Sequence, residues 1–466
     1  MQHFVILHTN DIHGRVEGLT RIATLIKQIR TSNPDVPVIY FDAGDIEDSS
    51  ARLSNLTKGV AMYRLLNVSG CDAAAVGNGG IVRYGYQMLP EYAKVARYPL
   101  LLANLLTVDE KLVSGVQPTA LFNLGSLRLG VIGVTSDMMG FYNDFSLQTP
   151  PVLPIIKELA SQLRQDGANV VVLLSHLGLD VDREIAVELQ QDVSLIIGAH
   201  THNLLPDGER VGCVLIAQAG EYANYLGRLD LALDENKKQL LVEHVSVLPI
   251  TEAIQPAASV LEEADVIEVE IASYLGETVG ELAEVLDYAS DRECGSANLM
   301  ADMLRERMHA DVGIVTAGAA FTGPLPAGPL QRVTLWDVCS GPGNPGVVAM
   351  TGAQLADVIK RGLDSEFAKE CPKPLRGQPR GFMHLSGATI NGKQLFIGDK
   401  PIELERVYRV AGSDWELDSY GGYVDPAWNL KPSYDLPIIL REALEDYLKA
   451  HNPMHIEIGR PDKSQL

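Results

Sequence analysis

Short apolar runs alternate through the first half of the chain with longer segments whose apolar residues recur every three or four positions. Residues 4–7, 37–41, 71–76, 170–174 and 195–198 read as buried strands. Residues 20–30, with Ile22, Leu25, Ile26 and Ile29 on one face, read as an amphipathic helix, and so do 152–164 and 181–189. This alternation predicts an α/β fold in layers over residues 1–250. From 251 to 275 the pattern changes: Glu262, Glu263, Glu268 and Glu270 alternate with Leu261, Val266, Ile267 and Ile271 after Pro256, which predicts a solvated connecting helix and a domain boundary. Helical patterns at 295–308, 351–363 and 436–450 and strand patterns at 312–316, 382–386 and 406–412 follow. Around a Pro-, Gly- and Arg-rich loop at 372–381, they make residues 276–466 a second, smaller α/β domain.

Each of the five strand-like runs ends on a polar residue of a type that binds metal ions. Asp11 and His13 follow the first, Asp45 the second, Asn78 the third, His176 the fourth, and His200 and His202 the fifth. Open α/β sheets hold ligands at the carboxyl ends of their strands, so the five ends are expected to converge on one rim of a sheet. One arrangement uses all seven residues: Asp11, His13 and His202 hold one divalent ion, Asn78, His176 and His200 a second, and Asp45 bridges them. Two dications against two aspartates leave a net positive centre, a trap for a phosphate dianion in which water is activated for in-line attack on phosphorus. The mixed imidazole, carboxylate and amide set suits Mn, Zn, Fe or Co. His8 lies on the other side of the strand alternation and is expected to be structural.

Composition narrows the partners. A chain of 466 residues allows two or three domains, and its net charge of -22 argues against a nucleic-acid polymer or an anionic membrane surface. The first residues run straight into a strand with no signal-peptide pattern, and no apolar run is long enough to span a bilayer. Five cysteines without CxxC spacing suit free thiols in a reducing compartment. A cytoplasmic protein with a small phosphorylated substrate is therefore expected; the oligomeric state is left open.

The motifs Thr-Asn-Asp-Ile-His-Gly (9–14), Asp-Ala-Gly-Asp (42–45), Gly-Asn (77–78), Ser-His-Leu-Gly (175–178) and Gly-Ala-His-Thr-His (198–202) resemble those of calcineurin-type metallophosphoesterases. The whole chain resembles the 5'-nucleotidase family, in its leaderless cytosolic branch. In the second half, Arg292-Glu293, Ala297-Asn298-Leu299, Leu335-Trp336-Asp337 and the stretch 350–355 carry the likeness. The resemblance implies a four-layer αββα metallophosphoesterase domain, a linking helix, a substrate-binding domain that closes over the metals, and hydrolysis of nucleotides or related small phosphoesters.

The chain also departs from this pattern. The family's third motif normally reads Gly-Asn-His-Glu, its histidine assisting the leaving oxygen, whereas here Gly79 and Gly80 follow Asn78. Three consequences compete. Arg83 or Tyr84 reaches back to replace the lost group; the enzyme prefers phosphodiesters or pyrophosphates; or the chain is a nucleotide-binding sensor with a weakened site. In the second domain Thr316-Ala317-Gly318-Ala319-Ala320-Phe321 stands where the family has an Asn-x-Gly-x-x-Arg segment, and Gly421-Gly422-Tyr423 is what survives of its aromatic loop. Arg292, Phe321 and Tyr423 are accordingly the expected substrate contacts.

Overall fold

The computed structural model describes residues 1–451 apart from 235–238, 340, 342, 373–374, 376–377 and 393; part of the predicted 372–381 loop and the end of the predicted second domain, 452–466, lie outside the described residues. The chain forms two compact units, residues 1–271 and 272–466.

The first unit is built on two six-stranded sheets. One runs in the order Gln239–Pro249, Tyr225–Asp234, Gln2–Thr9, Val38–Asp42, Ala73–Ala75, Leu100–Leu101. The other runs Glu209–Val211, Val214–Ala217, Leu195–Gly198, Val170–His176, Leu127–Thr135, Thr119–Leu124. Their inner faces share one core: Phe4, Ile6, Ile39 and Phe41 from the first sheet pack with Val131, Val172, Leu174 and Ile197 from the second. Strands buried on both sides must be apolar throughout, which is why these runs do not alternate. The helices Val152–Gln165 and Leu179–Glu188 cover the outer face of the second sheet through Ile156, Leu163, Ile185 and Ala186. The predicted helix at 20–30 is longer than its periodic stretch and runs Val16–Ser32. The five polar strand ends therefore come from two facing sheets, three from the first and two from the second, and not from one sheet as the sequence led us to expect. Local periodicity identifies a strand but carries no information on which sheet it joins.

His8 shows what alternation costs at one position. It shares the inner face with Phe4 and Ile6, is wholly buried opposite Gly227, and neither ring nitrogen finds a partner among the described residues. Burial pushes its pKa down from an ordinary 6.5 to about 4. Below the ordinary value the unfolded chain binds a proton that the folded one excludes. Stability is therefore untouched above that value, and falls as the pH drops through the window to about 4, by about 3 kcal/mol in all. His8→Leu is expected to abolish that acid-sensitive component. It should also raise neutral-pH stability by about 1 to 3 kcal/mol, because unpartnered buried polar atoms are removed. Urea unfolding of both proteins at pH 7.5 and 5 checks this, and a variant less stable at both pH values would contradict it.

The connecting helix spans Ala258–Leu275, and the unit boundary falls between Ile271 and Ala272, within its last turns. Its acidic face is engaged rather than merely solvated: Arg64 pairs with Glu263 and Glu270, each at 2.6 Å, and Arg52 pairs with Glu268. In the second unit the buried Arg332 guanidinium holds Glu445 at 2.8 Å and Glu277 at 2.9 Å and stacks on Tyr274 at 3.5 Å. This unit centres on a sheet ordered Met383–Ser386, Val312–Thr316, Val407–Ser413, Pro345–Thr351, Ser433–Tyr434, flanked by Gly295–Arg307, Gly352–Gly362 and Leu440–Ala450. The predicted helix at 351–363 starts on a capping box, Thr351 accepting from Gln354 N–H while the Gln354 side chain accepts from Thr351 N–H. Among the described residues no helix is long and apolar enough to cross a membrane.

Candidate metal centre

Five of the seven predicted ligands stand in left-handed backbone conformations: Asp11 (φ 50°), His13 (48°), Asp45 (55°), His200 (73°) and His202 (57°). Such conformations cost a non-glycine residue about 1 to 3 kcal/mol each. Their concentration just beyond the strand ends turns the side chains back into the space between the sheets. Packing there is close: a Cβ on Gly77 would lie 2.1 Å from Asp45 Oδ1.

Two groups of side chains result. Ligand atoms of Asp11, His13 and His202 lie within 4.8 Å of one another, as do those of Asp11, Asp45 and His176. The carboxylate common to both groups is Asp11, whereas the sequence reading gave the shared position to Asp45. In the first group His13 Nδ1 donates to the Glu47 carbonyl at 3.3 Å and His202 Nδ1 is engaged by the Glu221 carboxylate. Both Nε2 atoms are thereby directed at each other, 3.2 Å apart, and at Asp11 Oδ1, 3.8 and 3.3 Å away. Two imidazole lone pairs and a carboxylate oxygen repel unless a cation or a proton stands among them. In the second group His176 Nδ1 donates to the Ala43 carbonyl at 2.9 Å, leaving Nε2 facing Asp45 Oδ2 at 3.3 Å without hydrogen-bond geometry. Asn78 Oδ1 is also buried and unpartnered.

The charges respond accordingly. Burial by itself would lower the pKa of His176, but the adjacent Asp45 carboxylate outweighs it and lifts it to about 10. Against its own burial, Asp45 is held well below the usual carboxylate range by His176. His200 is lowered by burial and by the neighbouring His176, while His202 is raised chiefly by its bond to Asp11. The His200 backbone N–H donates to Asp11 at 3.1 Å and its ring meets that of His176 edge-on, 5.2 Å between centroids, although it falls in neither close group. Asp42 is not directed at the centre: it accepts from Thr9 Oγ1 at 2.6 Å and from Gly44 N–H at 2.9 Å, and burial lifts its pKa to about 8.

Gly79 opens the helix Gly79–Tyr84, and its N–H donates to Asp45 Oδ1 at 2.7 Å. Arg83 turns to Asn55 Oδ1 at 3.2 Å, and the Tyr84 hydroxyl is shut off from solvent without a hydrogen-bond partner among the described residues. In the second unit, Arg292 is exposed and pairs with Asp287 at 2.7 Å. Phe321 is fully buried in the core with Leu325 and Leu335 and offers no ring face, a correction to its expected role. Tyr423 is also buried, edge-on to Phe367 at 5.2 Å, and lines a cavity of about 810 Å³ together with Phe367, Arg361 and Trp428. The supporting groups that sequence reasoning missed are the Ala43 and Glu47 carbonyls and Glu221.

Residues 4–204 match the model of calcineurin-like phosphoesterases and residues 278–425 that of the 5'-nucleotidase C-terminal domain. The chain belongs to the 5'-nucleotidase family of metallophosphoesterases. It is 29% identical over 448 residues to the uncharacterized metallophosphoesterase YunD of Bacillus subtilis, covering 94% of this chain and 95% of that one. With the 5'-nucleotidase of Bos taurus it shares 24% over 343 residues, 64% of this chain and 59% of the bovine one. The fold is that of the 5'-nucleotidase precursor from Thermus thermophilus, at a TM-score of 0.62 and 21% identity over 98% of each chain. A second solved structure, the NAD nucleotidase of Haemophilus influenzae, has the same TM-score of 0.62 at 16% identity over 98% of each chain. Family members are hydrolytic phosphoesterases, so this 5'-nucleotidase relative is a metal-dependent phosphoester hydrolase. Calcineurin-like phosphoesterases use a dinuclear metal site, and the two side-chain groups fit one in donor type, as do the unpartnered His176 Nε2 and the unpartnered Asn78 amide oxygen.

Proposed function

We propose that the protein hydrolyses nucleotides or related small phosphorylated molecules at a two-metal centre held by Asp11, His13, Asp45, Asn78, His176, His200 and His202. The observation that carries this reading is the convergence of groups that need a cation or a proton between them: His13 Nε2, His202 Nε2 and Asp11 Oδ1 in one group, His176 Nε2 and Asp45 Oδ2 in the other, with Asn78 Oδ1 buried and unpartnered. Two divalent cations bound there supply positive charge to phosphoryl oxygens and acidify water at neutral pH. The chain's own residues hold the geometry. Backbone carbonyls and Glu221 keep the Nδ1 protons of His13, His176 and His202 outward, so that each Nε2 faces the centre. Asn10 fixes Asp11 by donating to its Oδ2 at 2.8 Å while binding the Gly220 carbonyl at 2.6 Å.

Nothing at position 79 can protonate a departing alkoxide. This favours, as a second reading, phosphodiesters and phosphoanhydrides, whose leaving groups need less help. Turnover of p-nitrophenyl phosphate, bis-p-nitrophenyl phosphate and AMP with added manganese tests both. Monoester turnover supports the first reading and diester preference the second. Silence on all three, with nucleotide still bound, would replace both by a binding protein. We place the protein in the cytoplasm, a reducing compartment that suits its five free cysteines.

A further inference from the structure

Beside the metal ligands stand three hydroxyls that nothing so far has used. Thr135 ends the strand Leu127–Thr135 and pairs in parallel register with His176, so its side chain lies on the same inner face as that imidazole, one strand spacing away. Ser136 follows it in the chain, and Tyr142 belongs to the 3-10 helix Met138–Phe145. The three residues are 0%, 8% and 1% exposed, and Thr135 Oγ1, Ser136 Oγ and Tyr142 Oη all lack a hydrogen-bond partner among the described residues. Thr135 and Tyr142 are near neighbours without hydrogen-bond geometry, and Asp45 is the charge that most affects the Tyr142 hydroxyl.

Orphaned hydroxyls on the neighbours Thr135 and Tyr142, with a third on the adjacent residue Ser136, are unusual, since buried polar groups are nearly always paired and each failure costs stability. Hydroxyls can donate, whereas the carboxylates of the centre can only accept. Donors grouped beside a proposed dication pair are matched by an oxygen-rich anion. We propose that Thr135, Ser136 and Tyr142 form an oxyanion seat that donates hydrogen bonds to the phosphoryl oxygens of the ligand, supplying from the second sheet part of what residue 79 does not supply from the first. The inference rests on the hydrolase reading for the identity of the anion, but it is a statement about binding and is tested as such.

The probe is inorganic phosphate, titrated calorimetrically into the full chain loaded with manganese, for the wild type, Tyr142→Phe, Thr135→Val and Ser136→Ala. Each substitution is expected to weaken phosphate binding by about tenfold, the loss of one hydrogen bond to a charged group, with two metal ions still bound per chain. Ser136→Ala, the mildest change, keeps the test informative if a larger one impairs folding. Phosphate affinity unchanged within about twofold in all three, whether or not thermal stability moves, would overturn the seat and leave a purely structural polar corner; so would a wild type that binds no phosphate. Hydroxyl-dependent phosphate binding without turnover of any ester would uphold the seat while removing the hydrolase reading. Turnover with no dependence on the hydroxyls would do the reverse.

Discussion

Gly79→His is expected to raise the rate on AMP by about a hundredfold while raising that on p-nitrophenyl phosphate by much less, because general acid assistance contributes roughly 10² to 10⁴ where the leaving group is poor. A nucleoside 5'-oxygen departs as a basic alkoxide and needs the proton; p-nitrophenolate does not. The backbone admits the change. An ideal Cβ at residue 79 lies 3.1 Å from Asp45 Oδ1 and 3.3 Å from its Cγ, so the carboxylate must yield by only a few tenths of an ångström. Position 80 is different, because a Cβ there would stand 2.6 Å from Glu47 Oε1. That carboxyl is buried, accepts from Tyr63 Oη at 2.6 Å, and is raised by burial to about 7. The Glu47 side chain therefore fills the volume of the missing residue-80 side chain, and restoring His and Glu together would make the outcome unreadable. The histidine alone is the clean experiment. Steady-state rates on both substrates decide it: an equal gain, or none, means that another group already serves the leaving oxygen.

The ligands were legible because each is encoded locally. A strand buried on both faces leaves an apolar run, and a residue of metal-binding type within a few positions of its end marks the rim whether or not the strand's neighbours are known. That suffices to pick out Asp11, Asp45, Asn78 and His176, all of which the structure brings to the space between the sheets. What needs long-range pairing was not legible. The split of the five strand ends between two sheets follows from Val170–His176 pairing with Leu127–Thr135, and no run of residues records that choice. The strand 127–135 was itself passed over, and with it Thr135 and Tyr142. The groups that orient the imidazoles are backbone carbonyls at Ala43 and Glu47, which have no signature in side-chain identity. Ring residues failed for another reason. An aromatic among small residues reads alike whether it faces a ligand or a core, and Phe321 faces the core.

Asp11→Asn should empty the whole centre, whereas His202→Ala should empty half of it. Asp11 is the one carboxylate shared by both close groups, and its two oxygens only accept: one side meets the His200 N–H at 3.1 Å and the Asn10 amide at 2.8 Å, the other faces the ring nitrogens. An asparagine must place its NH₂ either against those donors or against His13 and His202 Nε2, and it removes the negative charge in both cases. His202 belongs to the first group alone, and its loss leaves Asp11, Asp45 and His176 in place. Elemental analysis after manganese loading is therefore expected to give two ions per chain for the wild type, about one for His202→Ala and none for Asp11→Asn. Turnover of p-nitrophenyl phosphate should fall by about 10³-fold or more in Asp11→Asn, several kcal/mol of charge stabilisation being lost with the metals. Retention of both ions by Asp11→Asn would mean that the carboxylate joining the two positions is Asp45 and that Asp11 only positions His200. Equal loss in both variants would mean that the two positions fill as one unit, so that removing any ligand of the first empties the second.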